Sequence, residues 1–106
     1  MVNTIRGEVE ATLDGKSWTL CLTLGALASL ENELGVENLN ELTSKFSKGT
    51  LSASDILKII KAGLSGAGYT LTTQEVADMR VDGGVSGYVE IAARLLEATF
   101  SPLANA

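Results

Sequence analysis

Apolar and polar residues alternate from Gly7 to Thr23: Val9, Ala11 and Leu13, then Trp18, Leu20 and Leu22, with Glu8, Glu10, Thr12, Ser17 and Thr19 between them. A period of two places successive side chains on opposite faces, so this stretch predicts two half-buried strands. Asp14-Gly15 between them tolerates the positive φ of a tight two-residue turn and predicts a hairpin. A lone hairpin is marginal in water, so its apolar face requires a cover of helices or another subunit.

Beyond Thr23 the spacing becomes helical. Leu24, Leu27, Leu30 and Leu34 outline a first helix, closed by Gly35. Asn38 and Glu41 approximate a capping box for a short second helix carrying Leu39, Leu42 and Phe46, which ends at Ser47-Lys48-Gly49. Ser52 caps a third helix, with Asp55 suited to the positive end of its dipole and Ile56, Leu57, Ile59, Ile60 and Leu64 on its buried side. Gly63, Gly66 and Gly68 read as a weakened helix end followed by a flexible turn. Thr72 and Glu75 form a second capping box before Val76 and Met79, and Asp82-Gly83-Gly84 turns the chain. The last helix carries a stripe of Val85, Tyr88, Val89, Ala92, Leu95, Leu96 and Phe100, pairs Glu90 with Arg94 on its other side, and stops at Pro102. With no linker, repeat or low-complexity tract, the expectation is one α+β domain over residues 1–106: an N-terminal β-hairpin followed by about five α-helices, mainly helical and compact.

Composition narrows the function. At 106 residues and 45% hydrophobic content the chain can bury one core. Its 13 acidic and 8 basic side chains give a net charge of -5, which disfavours nucleic-acid and anionic lipid partners. Glu31, Glu33, Glu37 and Glu41 precede Lys45, Lys48, Lys58 and Lys61, a modest asymmetry that solvated helix faces account for. Cys21 is the single cysteine, so no disulfide forms within the chain and a reducing cytoplasm is expected. The polar start, Met1 to Arg6, does not resemble a signal peptide, and no segment has the ~20 apolar residues of a membrane span, so solubility is expected.

Candidate chemistry fails on inspection. The absence of histidine removes Ser-His-Asp, Cys-His and His-containing zinc arrangements, and one cysteine removes a Cys₄ site. Ser65 and Ser86 sit in Gly-x-Ser-Gly stretches that do not complete a nucleophile elbow. The Gly63, Gly66, Gly68 run follows a helix rather than a strand and lacks the Gly-Lys-Ser/Thr of a phosphate loop. Asp78 and Asp82 lack the remaining ligands of a calcium loop. Trp18 shares the apolar face of its strand and reads as core, and Cys21 reads as a small packing residue on the other face. Accordingly no catalytic, cofactor-binding or metal-binding residue is assigned, no cofactor is expected, and the chain is expected not to be an enzyme.

Four stretches carry a resemblance: Ile5 to Glu10 (Ile-Arg-Gly-Glu-Val-Glu), Leu13 to Lys16 (Leu-Asp-Gly-Lys), Leu22 to Glu31, and Ala93 to Phe100 (Ala-Arg-Leu-Leu-Glu-Ala-Thr-Phe). Together they make the chain similar, over nearly its whole length, to the small tail protein encoded in gene transfer agent clusters and related prophages. That family is labelled both tail tube protein and tail assembly chaperone. A tube subunit is expected to be dominated by strands, whereas two strands and a helical remainder favour the chaperone reading. The resemblance then implies a cytoplasmic factor that binds the helical tape-measure protein, shields its apolar stretches and helps recruit tail tube subunits, with homo-oligomerisation possible. The other readings are a structural tube component of the particle and, in a different class, a small ligand-binding regulatory domain. An exposed apolar helix face would serve the chaperone role, and the Leu24 to Leu34 and Val85 to Phe100 helices are the candidates.

Overall fold

The computed structural model describes residues 7–104, with side chains over residues 7–100. The start Met1 to Arg6, including the first residues of the Ile5 to Glu10 stretch, lies outside the described residues. Strands β1 (Glu8–Leu13) and β2 (Lys16–Cys21) pair antiparallel with Leu13 opposite Lys16, Ala11 opposite Trp18 and Val9 opposite Leu20. Asp14 at φ 57° and Gly15 at φ 75° make the tight turn that the Asp-Gly pair encodes. Five helices follow: α1 (Leu24–Leu34), α2 (Leu39–Ser47), α3 (Ala53–Gly66), α4 (Thr73–Ala77) and α5 (Val85–Ala104). The expected α+β architecture, a hairpin and a helical remainder in a compact globule, is the one observed.

Local signals place the helix starts. The Thr23 hydroxyl accepts from Ala26 N–H, and Gly35 closes α1 in the left-handed region at φ 70°. Asn38 accepts from Glu41 N–H, but the Glu41 carboxylate bonds the N–H of Glu37 rather than of Asn38, so the box at α2 is displaced by one residue. Complete capping boxes stand at Ser52/Asp55 and Thr72/Glu75.

One core joins these elements. α3 lies at its centre, against β2, α1, α4 and α5, with Ile59, Ile60 and Leu64 fully buried. The inner hairpin face contributes Val9, Ala11, Leu13 and Leu20, α1 contributes Leu27 and Leu30, and α5 contributes Ile91, Ala92, Leu95 and Leu96. Ile91 is not part of the stripe read from sequence, and including it shifts the buried face of α5 away from Val89.

Several expectations change in three dimensions. Gly63 and Gly66 are not a frayed end: α3 continues through both, and they let it touch β2. A Cβ on Gly66 would stand 1.9 Å from the Cys21 carbonyl oxygen, and one on Gly63 would stand 2.5 Å from Leu95 Cδ2. Only Gly68, at φ 102°, serves the turn. Arg94 does not pair with Glu90. Its guanidinium reaches β1 and donates to the Glu10 carbonyl at 3.0 Å, a neighbour that helical spacing cannot reveal. α5 runs on to Ala104, past Pro102. A proline in a terminal turn forfeits one helical hydrogen bond, too little to end a helix anchored by the buried Ile91, Ala92, Leu95 and Leu96.

Candidate docking groove

The most exposed large apolar side chains on the two candidate helices are Leu24 and Val85, 80% and 77% exposed. Leu24 occupies the first position of α1, and at 3.6 residues per turn it points roughly 90° away from the mean direction of Leu27, Leu30 and Leu34. It is therefore not part of the buried face that its spacing suggested. Val85 opens α5, and Val89, one turn on, is 45% exposed.

Val85 and Val89 belong to a groove of about 320 Å³ where the start of α3, the end of α4 and the start of α5 converge. Its floor is apolar: Leu51, Ile56 and Leu57 from the α3 side, Ala77 from α4, and the Tyr88 ring from α5. Tyr88 fixes the geometry. Its single hydroxyl hydrogen is shared between the main-chain carbonyls of Val76 and Met79 at the C-terminal end of α4, so the two valines flank a ring that cannot swing out without breaking that contact. Burial, followed by the nearby Asp14 and Asp78 carboxylates, raises the Tyr88 phenol above its ordinary value and keeps it a neutral donor. On the other wall the Ser52/Asp55 box anchors α3, and Lys45 from α2 reaches the Asp55 carboxylate at 3.3 Å. Burial works against the Asp55 charge, but the Ser52 N–H and the Lys45 ammonium outweigh it and hold the carboxyl below its ordinary value.

A second hollow of about 400 Å³ lies between the start of α1 and the end of α3, lined by Thr23, Ser29, Glu33, Lys61 and Ser65 among others. It has the polar groups that an anion or nucleophile site would use, but they are not arranged for either. The N–H groups of Ala67, Gly68 and Tyr69 all donate to α3 carbonyls, which leaves no cradle at the glycine run. No base stands behind Ser65 among the described hydrogen bonds, and Ser86 is an exposed residue in the first turn of α5. Asp78 accepts from Gln74 at 2.9 Å, and among the described residues no cluster of three or more potential metal ligands occurs. Trp18 packs at the margin of the core, where its indole N–H donates to the Leu13 carbonyl at 3.0 Å and its ring meets Tyr69 edge-on at 4.9 Å. Cys21 is half-buried. The acidic and basic stretches are absorbed locally: Lys58 donates to the Glu33 carbonyl, Lys45 holds Asp55, and Glu41 caps Glu37.

The groove between α3, α4 and α5 can therefore bind apolar side chains by burial, and it contains no group placed for bond-making chemistry. Sequence reasoning named the α5 helix but not the groove, because its α3 and α5 walls come from segments far apart in the chain. Among the described residues no helix is long and apolar enough to cross a membrane. Residues 6–102 match the family model described as phage tail tube protein, GTA-gp10. No curated protein and no solved structure matches the chain.

Proposed function

We propose that this chain, which belongs to the GTA-gp10 phage tail tube protein family, is a non-enzymatic assembly chaperone that holds the tape-measure protein and helps bring tail tube subunits to it. The observation that carries this reading is the apolar groove flanked by the exposed Val85 and Val89. A groove between helix ends, with a rigid aromatic floor, suits the apolar ridge of a partner helix, which buries residues at i, i+3 and i+4. Membership in a tail family supports tail proteins as the partners, and the helical balance of the fold, with two six-residue strands, supports an accessory factor over a strand-built ring. The protein acts in the host cytoplasm on this reading.

Co-expression of the full chain with the tape-measure protein tests it by co-purification. Val89→Glu and Val85→Glu alter only exposed positions, so the fold should be unaffected while capture falls by about tenfold or more. Equal capture by the wild type and both variants would exclude the groove, and no capture of any tape-measure fragment would exclude the partner.

The family description itself favours a second reading, a structural component of the tail. Mass spectrometry of purified particles separates the two. A chaperone is absent from mature particles, whereas a tube component is present there at fixed stoichiometry.

A further inference from the structure

The hairpin ends in an unusual asymmetry between its two edges. A two-residue turn makes its flanking residues a hydrogen-bonded pair, so Leu13 and Lys16 exchange bonds, and by alternation Ala11 with Trp18 and Val9 with Leu20 do the same. Thr12 and Glu10 on β1, and Ser17 and Thr19 on β2, then direct their N–H and C=O groups outward. The Arg94 guanidinium confirms the phase independently, because it reaches the Glu10 carbonyl from outside the sheet. The β1 edge is thus occupied by a cation and flanked by the Glu8 and Glu10 side chains, the kind of guard that prevents edge pairing. The β2 edge has no such guard along its middle, Ser17 to Thr19, although Lys16 begins the strand and Gly66 of α3 lies against the Cys21 carbonyl at its far end. Among the described residues the outward main-chain groups of Ser17 and Thr19 have no partner, and no charged side chain occurs from Ser17 to Cys21.

We propose that two copies of this chain pair antiparallel through the β2 edge, about a twofold axis at Trp18 that sets Ser17 opposite Thr19 of the second copy. The edge itself requires an extended strand, since only a strand supplies donors and acceptors at its spacing. Charge selects a second copy. Two chains of net charge -5 repel unless they meet where carboxylates are missing, and between Asp14 and Glu31 the sequence has no acidic residue and one cation, Lys16. The exposed Leu24, three residues beyond the strand, adds apolar area to that acid-free stretch. A twofold arrangement is self-complementary, so each main-chain donor on one copy finds its acceptor on the other. This pairing does not depend on the chaperone reading.

Sedimentation equilibrium and light scattering of the full chain over a wide concentration range test the proposal. The wild type should dimerise reversibly. Thr19→Pro removes an outward N–H without touching the bonds to β1, and Thr19→Lys installs the missing guard; each acts twice in the dimer and should raise the dissociation constant by about tenfold or more. Thr12→Lys on the β1 edge should leave dimerisation unchanged. A wild type that stays monomeric at every concentration overturns the proposal, as does undiminished dimerisation of folded Thr19→Lys, the variant that decides if Thr19→Pro does not fold.

Discussion

Gly66→Ala tests the contact on which the fold turns. The added methyl would lie 1.9 Å from the Cys21 carbonyl oxygen and 3.0 Å from its carbon. An ordinary carbon–oxygen contact needs about 3.3 Å, so α3 must retreat from β2 by more than an ångström. The obstacle is main chain in a paired strand, which cannot rotate aside as a leucine methyl can. Overpacking of this kind costs about 3 kcal/mol or more, and the better helix propensity of alanine returns at most roughly 1 kcal/mol. The expected net loss is about 2 kcal/mol or more, a fall in melting temperature of about 10 °C or more for a domain of this size. Gly63→Ala should cost less, because its closest neighbour is the mobile end of Leu95. Gly25→Ala is the control: its Cβ would meet nothing closer than 4.0 Å, so it should stabilise the protein by a few tenths to about 1 kcal/mol. Urea unfolding followed by circular dichroism measures all three. Gly66→Ala as stable as the wild type, at an unchanged denaturant slope, would falsify the close α3–β2 approach.

The other predictions concern the groove walls. Ser52→Ala removes a cap and should cost about 1 kcal/mol in chemical denaturation. Because the folded state holds the Asp55 carboxyl below its ordinary value, its contribution is present above that value and fades as pH falls through the lowered one; Asp55→Asn should flatten this part of the acid limb of a stability–pH curve. Tyr88 runs in the opposite sense. Its raised phenol supplies stability that is complete below the ordinary value of 10.0 and is lost as pH climbs through the higher folded value, so Tyr88→Phe should weaken the alkaline fall while costing about 1 kcal/mol at neutral pH, chiefly from the Met79 carbonyl, since the Val76 carbonyl still accepts from the Met79 N–H.

The candidate site was legible only in its parts. Val85 and Val89 are visible in the sequence as apolar positions of the last helix, yet periodicity alone counted them with the core. Their exposure depends on Ile91, which turns the buried face of α5 away from Val89, and on where α3 and α4 end. Tyr88 likewise reads as one more apolar residue until its hydroxyl is found against the Val76 and Met79 carbonyls, where α4 ends.

The sequence by itself determined the elements: the hairpin from a period of two around Asp14-Gly15, α3 and α4 from their capping residues, and the exclusion of histidine chemistry from composition. These are local properties, governed by a residue and its neighbours within a few positions along the chain. Tertiary structure decided the rest: that Gly63 and Gly66 are contact surfaces, that Arg94 serves β1 rather than Glu90, and that Leu24, Val85 and Val89 face outward. Each of those outcomes depends on a segment distant in sequence arriving within a few ångströms, and an apolar residue carries no mark of whether its neighbour will be its own core or another protein.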